Sequence, residues 1–260
     1  MTASVVIQPD ATTVYLLRLA DTALIHAQRL SEWCGHAPVL EEDIALTNLA
    51  LDLIGQSRAL LSHAGARLGG LDEDQLAFLR EERDFHNLTL AELPLRKGGA
   101  DFADTVLRNL LLAAWLHLHW QRLSASSDAE LAAIAGKAVK ESRYHLEHAG
   151  DWVVRLGDGT DESARRMAAA LQRAWPYVTE LFTDDAADEA AAQSGLGPRS
   201  SELRAAWDAL LAPVWAAAKL QPPAASAFRS SGRLGRHSEH LGPLLAEMQV
   251  LQRSYPGGAW

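Results

Sequence analysis

The chain has 260 residues, 48% of them hydrophobic, with a net charge of −9, which is enough to bury a large core in one domain or two closely fused ones. Its basic residues are scattered, which excludes the basic stripe that nucleic-acid phosphates require. Leu and Ala dominate, and period-two runs of Val, Ile and Thr are missing, so the pattern favours an all-α protein. A single cysteine, Cys34, excludes an internal disulfide framework and fits a reducing compartment. The opening "MTASVVIQPD" lacks a basic segment followed by an apolar one, and the longest wholly apolar run, Leu110 to Leu116, is too short to span a bilayer. These features together predict a soluble cytoplasmic protein.

Helical pattern begins near Asp10, with Asp10 or Thr12 as cap, and runs to the stop at Gly35 and Pro38. A second helix enters through the acidic turn "LEEDI", favourable at the positive end of the helix dipole, and continues to about Gly69. One or two shorter charged helices follow, ended by Pro94 and the Gly98-Gly99 turn. A third long helix covers Asp101 to about Ser124, and a fourth, capped by Ser127 or Asp128, reaches Leu156. Thr160 or Asp161 caps a fifth, which passes Trp175 to about Phe182 with Pro176 as a kink. "AAQSGLGPRSS" reads as a loop, and residues 201–220 and 238–253 as closing helices around a Pro/Gly/Ser-rich connection at 221–236. Four helices long enough to span a domain predict an antiparallel bundle.

The seams of these helices are apolar with polar interruptions. Leu46, Leu49, Leu53 and Leu60 form one stripe, and Gln56 sits inside it. The third helix aligns Val106, Leu110, Ala113, His117 and Trp120; the fourth aligns Leu131, Ala135, Ala138, Ser142, His145, Ala149 and Trp152. The first aligns Leu17, Asp21, Leu24 or Ile25, Gln28 and Glu32. The seams thus predict a shared interior layer of Glu32, Gln56, Ser142 and His145 beside Leu53 and Ala113. A di-iron carboxylate bundle would carry Glu-x-x-His pairs here. The pairs present are Leu53/Gln56 and Ser142/His145, too few anionic ligands for such a site.

The stretches "YLLRLADTALIHAQRLSEWCGHAPVLEEDIAL", "KAVKESRYHLEHAGDWVVRLGDGTDES" and "HSEHLGPLLAEMQVLQR" carry a further reading. Through them the chain resembles the structural, non-catalytic ferritin-like subunit of bacterial phenylacetyl-CoA 1,2-epoxidase, the PaaC family, over nearly its whole length. The resemblance implies one ferritin-like helical domain over 1–260: a four-helix bundle with additional C-terminal helices. It also implies a partner, the homologous catalytic subunit, which holds the iron, while this chain binds no cofactor. That complex adds an oxygen atom to the ring of phenylacetyl-CoA, with electrons from a separate reductase.

Laid on this sequence, the catalytic paralogue's ligand positions fall on Glu32, Leu53, Gln56, Ala113, Ser142 and His145, a degenerate site in which four positions have lost a usable ligand. On this reading Gln56 is the relic of a ligating histidine. The alternatives are an independent di-iron oxygenase or ferroxidase, and a stand-alone acyl-CoA- or lipid-binding helical protein. Arg165, Arg166, Arg173 and Trp175 are candidates for contact with a partner or CoA, and Trp207 and Trp215 for partner contact or core. His237, Glu239 and His240 suggest either a zinc site, or a helix start with Ser238 as cap or a partner contact. "EERDFHN" (81–87) reads as a solvated or interface helix rather than an acid/base set.

Overall fold

A computed structural model describes residues 4–94, 101–224 and 226–258. Four long helices form the centre of the fold. Helix α1 (Ala11–Ser31) is capped by Asp10, whose side chain accepts from the Thr13 amide at 2.7 Å. Helix α2 (Leu40–Arg67) starts without a side-chain cap but with Glu41, Glu42 and Asp43 in its first turn. Between α2 and the next long helix come α3 (Glu73–Phe78), a 3-10 turn (Glu82–Asp84) and α4 (Thr89–Glu92). Helices α5 (Phe102–Leu123) and α6 (Ala129–Gly157) are capped by Asp101 and Asp128. The Gly98-Gly99 turn lies outside the described residues.

The chain then wraps the bundle. Helix α7 (Asp161–Ala174) passes into a 3-10 turn at Trp175–Tyr177 and the single turn α8 (Val178–Leu181). Pro176 supplies no amide to continue the α-helical ladder there. The expected loop at 191–201 is partly helical: α9 (Ala186–Ser194) is capped by Asp185 and closed by Gly195 at φ +73°. A 3-10 turn (Ser200–Leu203) leads into α10 (Arg204–Ala217), and α11 (Leu241–Ser254) closes the chain. Ser238 is not the cap of α11; its amide donates to Glu92 at 2.6 Å, and His240 takes the cap position without a side-chain bond. Among the described residues there is no strand, only an isolated antiparallel bridge between Ser231 and Arg236. No described helix is long and apolar enough to cross a membrane.

Helix directions follow from the contacts that join them. Gly197 lies against both Tyr15, near the start of α1, and Leu123, at the end of α5, while His26 meets Asn109. Helices α1 and α5 are therefore antiparallel. Asp128 at the start of α6 bonds His63 near the end of α2, and His148 bonds Glu42, so α2 and α6 are antiparallel too. The bundle is all-α and ferritin-like, with one long crossover from α2 to α5.

That crossover explains the burial of α1, which exceeds what a single seam predicts. Asp21 does not point into the bundle centre. It pairs with Arg80, both side chains fully buried, and accepts from the His86 amide at 2.9 Å. Leu88 N donates to Thr22 Oγ1, and Arg29 donates to the Glu92 carbonyl. On another side, Arg18 pairs with Asp188 at 2.8 Å and thereby holds α9. Residues 81–87, expected as a solvated or interface helix, divide instead: Glu81, Glu82 and Arg83 are exposed around a 3-10 turn, while Phe85 and Asn87 are fully buried. Gly232 lets the later chain lie on this crossover, because a Cβ there would meet Asn87 O at 2.5 Å.

Candidate functional site

The six positions that the resemblance implies divide into an interior set and one outlier. Leu53, Gln56, Ala113, Ser142 and His145 are all buried on the facing sides of α2, α5 and α6. Glu32 is not among them. It is the C-cap residue of α1, half-exposed, and it accepts a hydrogen bond from Arg29. Register gives the reason. His26 stands opposite Asn109, and Ala113 lies one turn further along α5, toward the start of α1. Glu32 lies in the opposite direction, about 15 Å away along the axis at 1.5 Å per residue.

Apart from Gln56 Oε1, which is buried without a partner among the described residues, the polar groups of the interior set are bonded to neighbours. His145 donates through Nε2 to Asp52 at 3.0 Å, and Gln56 Nε2 donates to Glu141 at 3.0 Å. Asp52/Gln56 on α2 and Glu141/His145 on α6 are each one helical turn apart, so the antiparallel helices exchange two reciprocal bonds. Ser142 accepts from His117 Nδ1 at 3.0 Å and donates to Val139 O at 3.1 Å, while His117 Nε2 meets Gln121 Nε2 at 2.9 Å. This order fixes His117 as the neutral tautomer with its proton on Nδ1. Nearby, His26 donates to Asn109 Oδ1 at 2.9 Å.

Burial sets the protonation of these rings. It lowers the His26 pKa to about 3, with Asn109 hydrogen bonding in partial opposition. Burial likewise lowers His117. It lowers His145 as well, against the hydrogen bond and charge of Asp52. The interior thus offers neutral imidazoles, an amide and a hydroxyl, with Leu53 and Ala113 contributing only hydrocarbon. A hard divalent ion requires several anionic oxygens. Among the described residues, no three His, Cys, Asp or Glu side chains are placed to hold a metal ion. Asp52, Glu141, His26 and Asn109 escape the seam reading, and His117 lies in the third seam but outside the proposed layer. The i, i+4 pairing of Asp52 with Gln56 and of Glu141 with His145 was the available signal.

The remaining candidates resolve differently. Arg165 and Arg166 both pair with Glu162, Arg166 also with Asp101, and Arg173 with Asp104 at 2.8 Å. Each guanidinium on this helix is balanced by a carboxylate. Trp175 is a core residue rather than a surface contact, packed 6.2 Å from Trp207. Trp207 and Trp215 are buried too.

His237 and His240 do not converge. The side chain of His237 is inaccessible, with Nδ1 on Glu92 at 2.9 Å and Nε2 on Phe85 O at 3.0 Å. Both acceptors require a proton, so this ring is an imidazolium. Burial opposes that charge, but Glu92 and the Phe85 carbonyl outweigh it and raise the pKa. The His240 ring is partly exposed, and its nearest carboxylate is Glu239 at 3.7 Å.

Comparison with known proteins places this arrangement. The chain is 48% identical over 248 residues to a 1,2-phenylacetyl-CoA epoxidase subunit of Escherichia coli (strain K12), an alignment covering 95% of this chain and 98% of that protein. Residues 4–260 match the family described as phenylacetic acid catabolic protein. With a ferritin-like bundle and a matched region that leaves out only three residues, the chain belongs to the phenylacetic acid catabolic protein family.

Proposed function

We propose that this chain is the non-catalytic, structural subunit of a cytoplasmic ring 1,2-phenylacetyl-CoA epoxidase in aerobic phenylacetate catabolism. It pairs with, and stabilises, a homologous subunit that holds the di-iron centre, and it binds no cofactor of its own. The identity to an epoxidase subunit supports the complex. The observation that carries the non-catalytic role is the content of the bundle centre. Leu53 and Ala113 offer no donor, Gln56 and Ser142 are neutral, and His145 is spent on Asp52. An independent di-iron enzyme would need carboxylates where these residues stand. The chain's contribution on this reading is a rigid surface against which the catalytic subunit folds and holds its shape.

The test is reconstitution of turnover. Catalytic subunit and reductase are assayed for phenylacetyl-CoA epoxidation with and without this chain, and the solubility of the catalytic subunit is followed in parallel. Loss of turnover and precipitation in its absence are expected. Full turnover by a stable catalytic subunit alone would refute the proposal.

A further inference from the structure

The outer side of α2 and α6 carries large apolar groups that the fold does not use. Leu40, Ile44 and Leu51 are 73, 54 and 59% exposed and succeed one another at helical spacing along α2. Tyr144 on α6 is 52% exposed and lies 6.1 Å from the His148 ring. The antiparallel contacts Asp52–His145 and Glu42–His148 set Leu51 level with Tyr144, and Ile44 near His148. Single exposed apolar residues need no explanation, but a row of three on the outward side of one helix does. From Leu40 to Leu51 it runs about 16 Å.

The strip ends in a cavity. Beyond Leu40 and His148 lies a half-open pocket of about 350 Å³, walled by Pro38, Val39, Phe102, Ala103, Trp152 and Leu156. Phe102 meets Trp152 edge to face at 5.0 Å. At the rim, Asp101, Glu162 and Arg166 are already paired with one another, so the walls call for an uncharged group. A dry cavity of about 150 Å³ accepts benzene, so this one takes a large aliphatic or aromatic side chain. The surrounding charge is acidic. Glu41, Asp151 and Asp161 are exposed and make no ion pair among the described residues. Against them stands Arg155, which lies over the Trp152 ring at 4.8 Å.

We propose that this strip receives a helix of a partner subunit. That helix sets one large apolar or aromatic side chain in the Phe102–Trp152 pocket and turns lysine or arginine toward Glu41, Asp151 and Asp161. The outward row on α2 supplies the apolar face, three turns of helix match its length, and the unpaired acids supply the sign of the partner's charge. The inference rests on the reading that the chain works inside an epoxidase complex.

The experiment uses the full chain co-expressed with the other epoxidase subunits of the same bacterium. Ile44→Arg with Leu51→Arg should weaken assembly about a hundredfold or more while leaving the thermal midpoint in place, because both sites are solvent-exposed. Val250→Arg with Leu251→Arg, on the equally exposed face of α11, should change assembly less than about threefold. Glu41→Lys with Asp151→Lys should slow association about tenfold and reduce its dependence on salt. In the unaltered complex, amides of residues 39–55 and 144–166 should gain protection from hydrogen exchange. A complex that forms normally with the α2 variants and shows no such protection overturns this surface alone. A wild-type chain that forms no complex overturns the pairing itself. A dimer of the chain alone that Ile44→Arg abolishes would put a second copy on the strip and overturn the proposed partner.

Discussion

His145 and His237 show how the same side chain is put to opposite uses by its surroundings. His145 is neutral and donates to Asp52, itself partly open to solvent. His145→Ala should therefore cost about 1–3 kcal/mol, mostly the cavity it leaves. His145→Gln, which keeps volume and a donor, should cost less, and urea denaturation of both variants checks this. Equal, unchanged midpoints would mean that the layer between α2 and α6 contributes nothing. His237 is charged, and its folded pKa is raised above 6.5. Its contribution is complete below the unfolded value and is lost as pH rises through the folded one. Buried neutral His26 and His119, lowered to about 3 and about 4, act the other way and lose stability as pH falls below 6.5. Thermal melts against pH should thus fall on both sides of neutrality, and His237→Gln should flatten only the alkaline limb. An unaltered alkaline limb would show that the imidazolium is not held by Glu92.

At the scale of elements, the crossover from α2 to α5 depends on buried charge rather than on its own short helices. Arg80 and Asp21 are both fully inaccessible. Removing one partner of such a pair leaves an uncompensated charge, so Arg80→Met should destabilise the fold by about 3–5 kcal/mol. The double change Arg80→Met with Asp21→Leu should recover part of that loss, although the His86 amide then lacks its acceptor. Chemical denaturation of the three variants tests the cycle, and a double mutant no better than the single would show that packing, not charge, dominates there. Helix ends were the most legible part of this scale: Asp10, Asp101, Asp128 and Thr160 cap the helices they precede. Helix α9 was not legible, because alanine-rich sequence ending in "SGLGP" reads equally as loop until Arg18 and Asp188 dock it on α1.

For the whole molecule, register decides whether a di-iron site can be built in this bundle. The variant Leu53→Glu, Gln56→His, Ala113→Glu, Ser142→Glu restores four ligand types. Glu32, however, remains at the end of α1 on Arg29, far from that level. Purified with ferrous iron, this variant should hold well below two irons per chain by elemental analysis and should add no second active centre to the complex. Stoichiometric loading would show that α1 supplies a ligand after all. The sequence alone determined the all-α class, the four long helices, the burial of the Leu53/Gln56 and Ser142/His145 seams and the scarcity of anionic ligands. Those features are written in local periodicity and in residue chemistry, which need no knowledge of neighbours. Only the tertiary structure decided that Glu32 falls outside the layer, that Asp21 turns to Arg80 rather than to the bundle centre, that Trp175 is core, that His237 is paired with Glu92 and that Arg166 and Arg173 reach Asp101 and Asp104. Each of these depends on which helix lies opposite and at what level. A helix periodicity of 3.6 residues specifies which side of a helix is apolar, but not which partner, or which turn of it, that side will meet.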